Sequence, residues 1–330
     1  MAEQKKQNFI LRFLKFLFPW KGDSAGEVIR KIIFLVSVAA LIVCGIYFAN
    51  RFTQRKQYND AKKLSDLVSD SDELTEEGEL EKYKNLQSIN KEFVGWLRIK
   101  DTGVDVPIVQ TDNNDAYLKK DFYGNYSVYG NPFLDYRNKL KNLVNAKKVT
   151  IVSADKNTTI YGHNMLDNMV FSELLEYRNV AFYQEHPLVE FHTIYGNTKW
   201  KVIAAFLVNS TADLDNGYTL EYNFVDCYPE NFKTYLEELH KRSYIHTAVD
   251  VNENDVLLTL STCDKEIIDE GRFVVVARLV RDGESDKVNV SAAQANSDIK
   301  FPQGYYDKNN LDNPYKDDVK WEPFAKEQAD

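Results

Sequence analysis

The sequence predicts a mainly β domain with peripheral helices, closed or nearly closed into one barrel or sandwich, and a single N-terminal transmembrane helix. Three features carry this expectation. About eight short β-like runs, separated by turn residues, fill one block of roughly 190 residues. A long stretch near the N-terminus carries no charge, and one amphipathic helix interrupts the strands.

The uncharged stretch comes first. Residues 32–49, IIFLVSVAALIVCGIYFA, lie between Arg30-Lys31 and Arg51. At 1.5 Å per residue they make roughly 27 Å of helix, close to the hydrocarbon thickness of a bilayer. A core helix would carry a polar side, and a signal peptide would want a small-residue cleavage site, which GIYFANRF does not offer. Residues 32–50 are therefore expected to cross the membrane, with residues 32–49 meeting lipid. Residues 1–31 would form a short cytoplasmic N-terminus, since long domains translocate largely regardless of charge. Within it, FILRFLKFLFPW (9–20) fits either an interfacial amphipathic segment or a plain hydrophobic tail.

Residues 51–90 are charged and read as a stalk ending in a helix, with Leu80, Tyr83 and Leu86 on one face. From residue 91 to 282 the β pattern dominates, in WLRI (96–99), VPIVQ (106–110), KKVTIVS (147–153), NTTIYG (157–162), LVEFHTI (188–194), TKWKVIAAFLVN (198–209), DVLLTLS (255–261) and RFVVVARLV (272–280). PENFKTYLEELHKRS (229–243) places Phe232, Tyr235, Leu236 and Leu239 on one helical face, with Pro229 in the first turn and Lys241-Arg242 at the negative end of the dipole. Residues 283–330 form an acidic extension poor in aliphatics, expected to be a flexible, solvated tail unless the aromatics of FPQGYYDKNN and VKWEPF dock.

A net charge of −9 and a pI near 5.3 argue against nucleic acid as a partner. Three cysteines are too few for a disulfide scaffold: Cys44 lies in the apolar stretch, leaving Cys227, read as structural or incidental, and Cys263.

Cys263 sits where one strand pattern ends, and Arg272 opens the next just past Gly271. If the two strands pair, the thiol and the guanidinium sit at facing ends, and the guanidinium would be a fixed donor fork for an oxyanion. The alternatives are a buried structural cysteine and a salt bridge from Arg272 to Asp264, Asp269 or Glu270. A cysteine nucleophile also needs a base. His186 and His192 lie in or beside a strand, His240 on the helix and His246 in a connection. His163 differs, because it follows NTTIYG and would project from a strand-end loop, where catalytic groups are commonly mounted.

TLSTC (259–263) followed nine residues later by Arg272, with YGHNM (161–165) upstream, resembles the sortase signature. The block at 106–138 and the helix at 229–243 resemble class B sortases, and the likeness covers about residues 75–282. It implies an eight-stranded barrel with N-terminal helices, a long helix between strands six and seven, and a catalytic domain at 91–282. It implies a catalytic set of Cys263 as nucleophile, His163 as general acid/base and Arg272 as stabiliser of carbonyl and oxyanion. It further implies substrate contacts at Asn114, Leu118, Ser261 and Asp264, the last where the class often has Glu, and an apolar slot at Tyr218 and Leu220.

The implied partners are secreted proteins with a C-terminal Asn-Pro-x-Thr-type sorting motif, and an amine of a peptidoglycan precursor or a pilin lysine. No metal or organic cofactor is implied. The Asp-Pro-aromatic lid motif of class C is absent from residues 51–95. Two other functions fit the residues: a hydrolytic cysteine protease, although the papain-like signature is missing, and a membrane-tethered β-barrel that only binds.

Overall fold

A computed structural model describes residues 13–69, 71–140, 155–165 and 169–325. The expected strand at 147–153, and residues 9–12 of the N-terminal apolar segment, lie outside the described residues. The chain divides into two compact units between Gln57 and Tyr58. One helix, α1 (Ala25–Lys62), holds the apolar stretch, and it is the one helix among the described residues long and apolar enough to cross a membrane.

In the second unit eight strands close a barrel. In chain order they are β1 (Phe93–Arg98), β2 (Asp105–Val109), β3 (Phe133–Leu134), β4 (Asn157–Tyr161), β5 (Leu188–Thr193), β6 (Lys199–Asn209), β8 (Leu257–Cys263) and β9 (Gly271–Leu279). Around the barrel the order is β1-β2-β3-β4-β8-β9-β6-β5. Two neighbouring pairs, β2 with β3 and β4 with β8, run parallel, and the others named in the ladder are antiparallel. The short β3 was not legible as a strand, because two residues after Pro132 are too few to set a period.

The dense apolar runs of β8 and β9 follow from burial on both faces. Leu258, Leu260, Phe273 and Val275 fill the barrel interior, while Leu257, Val274 and Val276 point outward into a second cluster. The helix α4 (Pro229–Arg242), between the sixth and seventh barrel strands, covers that outer cluster with Phe232, Tyr235 and Leu239. Leu80, Tyr83 and Leu86 form a third cluster with Phe93 and Phe122, so the predicted apolar face is used, although the α-helix there (α2, Lys84–Ile89) has only six residues. Between β5's approach and that helix lies a further short one, α3 (Val180–Glu185).

The extension corrects the expectation of a solvated tail. Two residues of it, β10 (Gln294–Ala295), pair with β7 (Ile245–His246), and Asn296 Nδ2 donates to the Ser243 carbonyl at the end of α4. Lys300 is buried between Glu238 at 3.0 Å and Asp318 at 2.8 Å, and a short helix α5 (Gln303–Asn309) follows. Trp321 packs into the cluster under α4 against Tyr235 and Phe224. A low aliphatic content concealed this docking, because it rests on aromatics and one buried ion cluster.

Candidate active site

The antiparallel register of β8 and β9 sets Cys263 opposite Arg272, as their strand-end placement suggested. Arg272 Nη1 donates to Cys263 Sγ at 2.9 Å. That contact places a fixed, always-charged donor directly beside the sulfur. The joining loop is tight: Asp264 N–H donates to the Gly271 carbonyl at 2.9 Å, and Lys265 pairs with Glu270 at 2.8 Å. A Cβ at Gly271 would collide with the Asp264 carbonyl, so only glycine fits this turn into β9.

His163 arrives on a different strand. β4 runs parallel to β8 with Tyr161 beside Ser261, and Gly162 N–H donates to the Ser261 carbonyl at 3.1 Å. The chain past Tyr161 thus keeps step with β8 toward Cys263, and Asn164 Nδ2 donates to the Cys263 carbonyl at 2.9 Å. The His163 ring reaches the Leu118 carbonyl through Nε2 at 2.7 Å. A carbonyl only accepts, so Nε2 carries the hydrogen and Nδ1 is the nitrogen left to take or give a proton. Gly130, at φ +61°, makes room for the ring: a Cβ there would stand 3.2 Å from His163 Cδ2.

The residues expected to contact substrate are placed unevenly. Leu118 is partly exposed and touches His163 through its carbonyl. Asn114 is occupied, donating to Asp135 at 3.3 Å and accepting from Tyr136 N–H at 3.1 Å. Ser261 is buried and hydrogen-bonded to the Tyr222 hydroxyl at 2.9 Å. Asp264 is fully buried, in an ion pair with Arg178. Leu220 belongs to the core under α4, and the Tyr218 hydroxyl is bonded to the Trp321 backbone at 3.1 Å.

Sequence patterns did not single out Arg178, Tyr161, Asp135 or Tyr222. The Tyr161 hydroxyl donates to Asp135 at 2.9 Å and accepts from Asn223 at 2.8 Å, bracing β4 below His163. The Arg137 guanidinium holds the Asp135 carboxyl below the ordinary range despite burial, which acts in the opposite direction. No spacing rule marks these residues, since each comes from a separate segment of the chain. A cleft of about 680 Å³ opens beside Cys263, walled by Asn164, Leu175, Arg178 and Glu266. Cys227 is buried, and burial pushes its thiol up to about 12, which keeps it unreactive.

The likenesses to known proteins agree with this arrangement. The family model described as a sortase domain matches residues 97–280. Sortase B of Listeria monocytogenes is 34% identical over 224 residues, which cover 67% of this chain and 83% of that protein. Sortase B of Staphylococcus aureus is 29% identical over 252 residues, covering 76% of this chain and 96% of that one. The crystal structure of sortase B from Bacillus anthracis aligns with a TM-score of 0.57 at 28% identity, over 71% of this chain and 99% of its own. A barrel whose seventh and eighth strands present a cysteine and an arginine, matched over more than half its length by that model, places the chain in the sortase family, class B, among the cysteine transpeptidases.

Proposed function

We propose that the chain works outside the membrane, anchored through residues 32–49 with its N-terminus inside, and transfers secreted proteins to an amine. The apolar 18-residue stretch within α1, with a mean hydropathy of 2.7, supports the anchor. In this scheme the Cys263 thiolate attacks the Thr carbonyl of an Asn-Pro-x-Thr-type motif, and the Arg272 fork stabilises the resulting oxyanion. Protonated His163 gives its Nδ1 proton to the departing amine as the C–N bond breaks, leaving a thioester on Cys263. Neutral His163 then takes a proton from the incoming amine as it attacks the thioester. The new amide forms, the thiolate is released and His163 is again charged. A cell-wall amine or a pilin lysine would serve as acceptor, and the partly exposed Leu118 beside His163 supports that face as the seat of the motif.

The observation that carries the proposal is the 2.9 Å contact between Arg272 Nη1 and Cys263 Sγ. It is tested by incubating the full chain in detergent micelles with an Asn-Pro-x-Thr peptide and triglycine, and following ligation by mass spectrometry. Ligated product is expected from the wild type and none from Cys263→Ala. Equal ligation by both would refute the assignment of Cys263, and binding without turnover would favour the binding-only alternative.

A further inference from the structure

Arg178 and Asp264 take no part in the scheme above, yet the segments carrying all three reacting groups meet at them. Asp264 directly follows Cys263, is fully buried, and is ion-paired to Arg178 Nη2. The same guanidinium lies 5.2 Å from the ring centroid of Phe273, which directly follows Arg272. One side chain thus grips the neighbour of the thiol on β8 and the neighbour of its donor on β9. Arg178 also ends the 3-10 turn Ser172–Arg178. That turn holds the His163 segment, because Phe171 N–H donates to the His163 carbonyl at 2.9 Å and Met165 N–H to Ser172 Oγ at 2.7 Å.

The charge balance points the same way. A bare carboxylate beside a cysteine disfavours the thiolate, and a bare guanidinium favours it. Other charged groups on these elements are exposed or already paired. Lys265 pairs with Glu270, Glu176 is exposed, and Glu266 is exposed and stands 3.8 Å from Arg178. His163 sits on the neighbouring strand end, and Arg272 already donates to the sulfur. We propose that Arg178 is a positioning residue of the transpeptidation reaction. It neutralises Asp264 and clamps Phe273, so that the Cys263–Arg272 contact stays aligned and acts on the sulfur without an opposing buried anion. The proposal rests on Cys263 being the nucleophile.

The test uses the full chain in detergent micelles. Alkylation of the Cys263 peptide by iodoacetamide is followed by mass spectrometry as a function of pH, beside kcat and KM for the Asn-Pro-x-Thr peptide. Arg178→Gln bares Asp264, so the alkylation midpoint should move to higher pH and kcat should fall about tenfold or more. Asp264→Asn bares Arg178, so the midpoint should move to lower pH. The double variant Arg178→Gln/Asp264→Asn should return the midpoint to near the wild-type value. Arg178→Lys should keep the midpoint but lower kcat, because an ammonium lacks the planar fork. Shifts of the same sign in both single variants, or an unmoved midpoint in folded Arg178→Gln, would overturn the proposal. If Arg178→Gln fails to fold, Asp264→Asn and the double variant decide it: a lowered midpoint that the double variant restores supports it, and an unmoved one overturns it. A wild-type Cys263 inert to alkylation would instead remove the nucleophile assignment, which is a distinguishable result.

Discussion

Replacing Trp321 by alanine tests whether the extension is part of the folded domain. The side chain is 5% exposed, with its ring centroid 4.7 Å from that of Tyr235 and 5.2 Å from that of Phe224. A buried tryptophan removes about 150–250 Å² from water, worth about 4–6 kcal/mol at ~25 cal/mol per Å². Residual compactness of the unfolded chain lowers this to about 3–5 kcal/mol, the range of Trp→Ala changes in protein cores. The lost bond from Nε1 to the Asn231 carbonyl at 2.7 Å adds little, because the Thr234 hydroxyl also donates to that oxygen at 3.0 Å. The assay is urea unfolding followed by far-UV circular dichroism, with the m-value checked so that midpoints can be compared. A loss of about 3–5 kcal/mol is expected. A loss below about 1 kcal/mol, the ordinary range of surface changes, would refute the docking of residues 286–325 on α4.

Two other changes probe the active end and the extension's anchor. Arg272→Lys keeps the charge but not the fork, so kcat/KM on the motif peptide should fall about a hundredfold, and near-normal turnover would show that charge alone suffices there. Burial pushes the Asp215 carboxyl up to about 6, so the folded chain keeps a proton that the unfolded chain has released, and this group's contribution to stability falls as pH rises from about 4 to 6. Asp215→Asn keeps an acceptor for the Gly304 N–H at 3.3 Å, so its melting temperature relative to wild type should climb across that window and level off above it, whereas a constant offset would contradict this.

Legibility in the sequence followed local pattern. β8 and β9 were readable because both faces are buried, which produces unbroken apolar runs. Their pairing then brought Cys263 and Arg272 together with no further information. His163 was a weaker inference until the parallel pairing of β4 with β8 was known, since nothing local links residues a hundred positions apart. The expected polar contacts fared differently. Ser261 shares the face of Cys263 by strand alternation but is covered by Tyr222, and Asp264, just past the end of β8, is held by Arg178. Both are buried, which argues for support of the platform over contact with a peptide.

The same alternation explains why the reacting groups can be rigid while remaining accessible. Cys263 is partly exposed, but the residues on either side of it, Thr262 and Asp264, are fully buried. The extension reinforces this platform from behind. Phe301 packs edge-on against Tyr244 with centroids 5.8 Å apart, and Tyr244 lies against Phe273 at the same centroid distance. Lys308 Nζ donates to the Glu266 carbonyl in the β8–β9 loop at 3.3 Å. Loosening the extension should therefore be felt at the loop that sets the Cys263–Arg272 contact, through these packed rings and the Lys308 hydrogen bond. Tyr244→Ala should lower turnover with Cys263, His163 and Arg272 all intact, whereas full turnover in a folded variant would show that the packing of the extension does not reach the site.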